Sequence, residues 1–257
     1  MAMRRAPLLM LCLLLAACGQ GSAVSPEPKR QGGGTIGLYS SLPIAWHESD
    51  DIKGFLADDQ PPHWALETLG ARGRVVLLDT LADPQGALPL TAAGTLVLAQ
   101  PRPLTAQENV ALDAWVRGGG RVLLFVDAML TGHSLFAPGD PRRPQDVAML
   151  SPILSRWGLE LTFDDGQEAG ERMAGPIPVN LPGILRPLGK SGGASGKAGD
   201  VVAQCRIEVQ GLVADCLSGK GRIVAVADAA LLENPPESSA LEARQAALAR
   251  LLDRLAR

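Results

Sequence analysis

Histidine, cysteine and aromatic residues are scarce in this chain of 257 residues, which has three His, four Cys, four Trp, four Phe and one Tyr. That scarcity narrows the chemistry. A zinc site needs three or four converging ligands, and the spacing of His47, His63 and His133 matches no metal pattern, so no metal is expected. Trp46-His47-Glu48-Ser49-Asp50-Asp51 gathers a histidine and three carboxylates, but reads as a solvated acidic loop. No CxxC pair and no GxCxG or GxSxG elbow occurs, which argues against a thioredoxin-type redox centre and an elbow nucleophile. Gly118-Gly119-Gly120 follows a helical pattern and precedes a strand pattern, the reverse of the order that aims helix amides at a phosphate. No cofactor is expected. The formal net charge is -3, and the basic residues form no stripe interleaved with aromatics, so no nucleic-acid partner is expected either.

The longest apolar run is short and sits at the start. Arg4 and Arg5 precede apolar residues 8–15, which fall well below the ~20 residues that cross a bilayer. Small Ala16 and Ala17 follow, as at the end of a secretory signal. Leu15-Ala16-Ala17-Cys18 resembles the bacterial lipobox, which implies acylation of Cys18, removal of residues 1–17 and a lipid-held protein. Loss of Arg4 and Arg5 leaves 22 basic against 27 acidic residues, a mature charge of -5. In the sorting pattern of Gram-negative lipoproteins, Gly19 after that cysteine favours the outer membrane over the inner one. Residues 18–34, rich in Gly, Ser, Pro and charge, read as a lipidated N-terminus and flexible tether. Residues 35–257 read as a single α/β domain.

Two cysteines remain in that domain. Residues 205–209 and 212–216 flank Gln210-Gly211, the length of a two-residue hairpin loop, and that register sets Cys205 opposite Cys216 and Arg206 opposite Asp215. Opposed residues of an antiparallel pair lie ~4.5–5.5 Å apart at Cα, within reach of a disulfide. The alternation of Cys205, Ile207, Val209, Leu212, Ala214 and Cys216 on one face supports the hairpin separately. A structural disulfide is the expectation; two reduced, buried cysteines are the alternative.

The rest of the domain alternates two kinds of pattern. Residues 36–40, 74–78, 95–99 and 121–126 are continuous apolar runs of the kind that form strands covered on both faces, and 222–227 is a late strand. Helices are predicted over 63–69, 105–116, 146–157 and 239–255. Thr105 and Glu108 supply a capping box for the second, Gly118 to Gly120 stop it, and Gly158 can take the left-handed conformation after the third. Residues 189–199, with five glycines, read as a flexible loop.

These segments carry a family resemblance. Residues 96–105, the Glu108 helix, Gly118-Gly119-Gly120 with strand 121–127, and 219–228 followed by Leu231, Leu232 and Asn234 resemble the GldG-type domain that accompanies ABC transporters and gliding-motility systems. The resemblance covers most of residues 35–235. It implies a three-layer α/β sandwich with a mostly parallel central sheet, class I glutamine amidotransferase-like or flavodoxin-like, with a C-terminal β-hairpin, strand and helix. It also implies a domain without the amidotransferase catalytic residues, and Cys205 and Cys216 lie in a hairpin rather than on a nucleophile turn. The chain is therefore expected not to be an enzyme.

In open parallel sheets, ligands gather beyond the carboxyl ends of the strands. That rim would hold Trp46, His47, Glu48, Asp79, Gln100, Arg102, Asp127, His133 and Asp228. The leading functional expectation is an accessory module that binds a small polar ligand, a glycan or an envelope or ABC-transporter protein. An envelope hydrolase using Asp127, His133 and Glu48 is the alternative, and a purely structural envelope protein a third.

Overall fold

The computed structural model describes residues 34–49, 61–188, 203–235 and 237–257, all within one compact unit, Gly32–Arg257. The signal segment, Cys18, the tether up to residue 33, Asp50, Asp51 and the glycine loop 189–199 lie outside the described residues.

In chain order the elements are β1 (Thr35–Ser40), α1 (Trp64–Arg72), β2 (Arg74–Leu77), β3 (Thr95–Ala99), α2 (Ala106–Arg117), β4 (Arg121–Phe125), α3 (Ser151–Arg156), β5 (Leu159–Thr162), β6 (Arg172–Ala174), β7 (Ile177–Val179), β8 (Ile184–Pro187), β9 (Gln204–Glu208), β10 (Val213–Ser218), β11 (Gly221–Val226) and α4 (Ser238–Leu255). Seven strands form one sheet in the order β2-β1-β3-β4-β11-β10-β9. The first five run parallel, and β10 and β9 are antiparallel additions at one edge. The continuous apolar runs are explained by cover on both faces: Val122, Leu123, Leu124 and Phe125 are each 0% exposed. Burial of such side chains contributes ~1.5–3 kcal/mol each.

The chain steps from β1 through α1 to β2 on one side, and from β3 through α2 to β4 on the other. Right-handed crossovers in opposite directions put α1 and α2 on opposite faces. Accordingly α1 packs with α4, and α2 with α3. The order reverses between β1 and β3, and that reversal opens a crevice at their carboxyl ends.

Local signals set the boundaries. The Thr105 side chain caps Glu108 N while the Glu108 carboxylate caps Thr105 N, so α2 starts where the capping box puts it. At its other end Gly119 has φ 122°, and a Cβ on Gly120 would lie 2.3 Å from the Trp115 ring, so both positions need glycine. The third helix is shorter than the 146–157 expectation. Pro152 sits in its first turn, and the preceding segment pairs with the loop after β4 instead, Ala148 N donating to Asp127 O and Leu130 N to Asp146 O. Gly158, with φ 77°, follows it in the left-handed region. Strands β5 to β8 form two small two-stranded sheets between α3 and β9 that the apolar pattern did not announce.

The hairpin register is as read, with Cys205 opposite Cys216 and Arg206 opposite Asp215, and the two cysteines are disulfide-bonded. Its loop is longer than two residues. Pairing closes at Glu208 and Val213, and Val209, Gln210 and Gly211 all have positive φ, which lets buried Leu212 turn inward. The Asp215 carboxylate accepts both hydrogen bonds of an ion pair from Arg222 on β11 rather than from Arg206.

Candidate functional site

The crevice at the strand reversal is a cavity of about 640 Å³. Among the described residues its walls come from four segments: Tyr39, Ser41 and Trp46 after or at the end of β1, Asp79 after β2, Arg102 after β3, and Phe136, Arg142, Arg143 and Gln145 from the long excursion after β4. Hydrogen bonds tie these segments together. Ser41 Oγ donates to Gln100 O in a very short contact and accepts from Gln145 N at 3.1 Å. The Gln100 side chain donates to Asp127 O and Gln145 O and accepts from Asp127 N.

Arg102 is held rigidly. Its two terminal nitrogens donate to the Glu108 carboxylate at 3.1 and 2.9 Å, and its guanidinium lies 5.4 Å from the Tyr39 ring centroid. Burial opposes the Glu108 charge, but hydrogen bonds from Thr105, Arg102 and Leu81 outweigh it and hold the carboxyl down at about 2. Tyr39 is pushed up to about 12, chiefly by burial, with Arg102 opposing and Glu108 and Asp79 adding to the shift. Trp46 and Phe136 stack with ring centroids 6.1 Å apart, and the Arg142 guanidinium sits 4.1 Å from the Phe136 centroid. Arg142 pairs with Asp140, and Arg143 with Asp146.

The predicted rim divides. Trp46, Asp79 and Arg102 line the cavity. Glu48 stands behind the wall, accepting from Ser134 Oγ and Leu135 N and so joining the β1 loop to the β4 excursion. His47 is half-buried and His133 is exposed, and neither lines the cavity. Gln100, Asp127 and Asp228 end their strands as read, but all three are sealed in protein. Asp127 accepts from Met129 N and Ala229 N, and Asp228 from Asn180 N and Ala230 N, so these carboxylates fasten the loops after β4 and β11. Of the Asp127, His133 and Glu48 set, Asp127 is sealed in protein, while Glu48 bonds to Ser134 and Leu135 next to exposed His133. Tyr39, Phe136, Arg142 and Arg143 were not singled out in the sequence. Phe136-Ala137-Pro138 leading to Arg142-Arg143 is a ring-and-cation cluster in a long loop, the one signal that could have pointed there.

Burial, opposed by the hydrogen bonds from Met129 and Ala229, raises Asp127 to about 6. Burial and the Asp127 charge raise Asp228 to about 8. A carboxyl that holds its proton more tightly when folded loses stability as pH rises from its unfolded value to its folded one. His63, which caps α1 through Nδ1, is lowered to about 4 by burial and acts in the opposite direction, but only below about 6.5. Between pH 6.5 and 8 Asp228 therefore dominates. The protein should lose roughly 2 kcal/mol over that window, and Asp228→Asn should flatten the slope in urea titrations at each pH. An unchanged slope in the variant would remove Asp228 as its source.

No family model matches this chain, and no curated protein matches it. Solved structures do. An exo-β-1,4-mannosidase from Opitutaceae bacterium strain TAV5 is 15% identical, over 87% of this chain and 36% of its own, with TM-score 0.46. A β-galactosidase from Rahnella sp. R3 is 14% identical, over 86% of this chain and 31% of its own, with TM-score 0.38. A GH42 β-galactosidase from G. stearothermophilus is 10% identical, over 88% and 30%, with TM-score 0.41. This chain spans about a third of the length of those structures. The expectation that the chain is not an enzyme is corrected on this finding, since the three structures named above are glycosidases. At such TM-scores the likeness transfers no residue and no substrate to this chain.

Proposed function

We propose that this chain is a lipid-anchored bacterial envelope protein, held through Cys18 at the outer membrane and facing the periplasm, whose flavodoxin-like domain binds a small polar ligand. The strand order β2-β1-β3-β4-β11, with its reversal between β1 and β3, supports the flavodoxin-like reading. The observation that carries the ligand reading is the cavity of about 640 Å³ at that reversal, within the ~300–1,000 Å³ range of small-molecule sites. Its lining combines aromatic rings with a few polar groups from four separate segments. The GldG-type resemblance supports a place as an accessory module of an envelope or ABC-transport-type system. Among the described residues no helix is long and apolar enough to cross a membrane.

Two experiments test the two halves. Cys18→Ala should move the protein from the membrane to the soluble fraction, and full membrane retention would overturn the anchoring. Trp46→Ala should abolish the thermal shift given by whichever saccharide, amino acid or nucleotide of a screening panel stabilises the wild type. An equal shift in the variant would place binding elsewhere.

A second reading, hydrolysis of the bound ligand, is favoured by one observation. Asp79 lines the cavity with no hydrogen-bond or ion-pair partner among the described residues. Glycoside hydrolysis uses two carboxylates, and Glu48 is committed to the loop beside it. Turnover of a panel ligand that disappears in Asp79→Asn would support this reading, and turnover unchanged in that variant would end Asp79's part in it.

A further inference from the structure

The stretch between β4 and α3, residues 126–150, holds no strand or helix, and structureless connections longer than ~12–15 residues are usually lids, binding loops or linkers. It is fastened unevenly. At its base Leu130 N donates to Asp146 O and Ala148 N to Asp127 O, each at 2.8 Å. Gln145 O accepts from the Gln100 side chain, and Gln145 N donates to Ser41 Oγ. These bonds pin residues 127–130 and 145–148 together at the end of the sheet.

The span between them, 132–144, is bonded mainly to itself. Asp140 N donates to Ala137 O, Arg143 N to Asp140 O and Arg143 Nη1 to Phe136 O. Among the described residues, Glu48 alone hydrogen-bonds this span to the chain outside the stretch, accepting from Ser134 Oγ at 2.8 Å and from Leu135 N at 2.6 Å. Trp46 adds its ring stack with Phe136. Glu48 and Trp46 both belong to the loop after β1, so carboxylate and ring fasten the span along one side. Most of its residues from 133 to 142 are exposed. Segments with few buried contacts open at a small fraction of the free energy of global unfolding.

The same span supplies Phe136, Pro141, Arg142 and Arg143 to the cavity wall, while the other walls come from the ends of β1, β2 and β3. Release of the two contacts at Glu48 and Trp46 would therefore move one wall and leave the base and the other walls in place. We infer that residues 132–144 are a swinging wall of the cavity, clasped shut by Glu48 and Trp46, and that its opening admits and releases the ligand. The motion stands on the contacts of the span alone. Its gating role rests on the ligand-binding reading of the same cavity and deepens it.

The test compares the intact protein with Glu48→Ala and Ser134→Ala, which cut the clasp from its two sides, by acrylamide quenching of tryptophan fluorescence and by hydrogen exchange. Trp64, Trp115 and Trp157 are buried, so quenching reads Trp46. In Glu48→Ala quenching should rise, and exchange at Leu135 and Phe136 should quicken ~10-fold or more, as the loss of hydrogen bonds to a charged group implies. Phe136 N donates to Ser134 Oγ and not to Glu48, so its exchange reads the movement of the span rather than the deleted contact. Leu130 and Ala148 should keep their protection. Unchanged quenching or unchanged Phe136 exchange in Glu48→Ala overturns the inference, as does equal quickening at Leu130 and Ala148. If Glu48→Ala fails to fold, unchanged quenching in Ser134→Ala overturns it. The saccharide, amino acid or nucleotide that stabilises the wild type should also dissociate ~10-fold faster from Glu48→Ala, and unchanged dissociation beside raised quenching would overturn the gating role. If nothing in that panel binds, the cavity reading fails, and quenching still decides whether the wall moves.

Discussion

Glu108→Ala should cost about 3 kcal/mol of stability and disorder the arginine wall of the cavity. Glu108 is 2% exposed and accepts from Thr105 N, Leu81 N, Thr80 Oγ1 and both terminal nitrogens of Arg102. Removing it affects these partners unequally. The Arg102 side chain is 43% exposed and can rehydrate, so the lost ion pair contributes little. Leu81 is 0% exposed and its amide finds no water, so most of the cost is ~1–3 kcal/mol for that unsatisfied donor plus ~1 kcal/mol for the hydrogen bond lost from Thr105 N, the half of the capping box that Glu108 supplies. Glu108→Gln keeps one acceptor and should cost about half as much. Urea unfolding monitored by circular dichroism measures both, and a midpoint unchanged in Glu108→Ala would show that α2 and the Leu81 loop do not depend on this carboxylate. Ligand affinity should fall in the same variant, because Arg102 would no longer be fixed over Tyr39.

Opening the Cys205–Cys216 disulfide should cost nearly as much. The bond spans 11 positions, and chain-entropy reasoning gives ~3 kcal/mol for a loop of that size. Cys216 is 0% exposed and Cys205 is packed against the core, so Cys205→Ala with Cys216→Ala adds a small packing loss to the entropic one. The β10 strand is held on its other side by the whole β11 ladder and by the Arg222–Asp215 ion pair, so the sheet survives and the loss should concentrate in β9. Hydrogen exchange should therefore quicken at Gln204–Glu208 far more than at Val213–Ser218 on reduction. Equal protection of β9 in the reduced and oxidised protein would show that the bond adds nothing to the ladder.

These two cases mark how far a linear reading reaches. The capping box and the cysteine register rest on separations of three and eleven positions, where turn geometry and a strand's period of two leave few alternatives. The parallel strands were visible for a related reason: cover on both faces demands continuous apolar runs, and 95–99 and 121–126 have them. Where the signal was weaker, the boundary moved. Residues 146–150 have helical character, but Asp146 O accepts from Leu130 N and Ala148 N donates to Asp127 O in the loop after β4, an exchange of partners that propensity does not register. Strands β5 to β8 are three or four residues long, too short for a period to show.

The rim was legible as a place and not as a set of side chains. Knowing that Asp79, Gln100, Arg102, Asp127 and Asp228 follow strands fixes which end of the sheet they occupy, because that depends on strand direction alone. Whether each carboxylate faces water or folds back to cap a neighbouring loop depends on where the excursion from β4 to β9 lies, and that is settled by long-range packing. Asp127 and Asp228 turn inward to backbone amides of residues 129, 180, 229 and 230, whereas Asp79 stays exposed to the cavity. The sequence by itself determined the strands of the central sheet, the capping box that starts α2 and the disulfide register, all of them local or periodic. Only the tertiary structure decided that the strand order reverses between β1 and β3, and that Tyr39, Trp46, Asp79 and Phe136 meet there. A cavity wall is made by residues far apart in the chain, and no short-range pattern encodes their meeting.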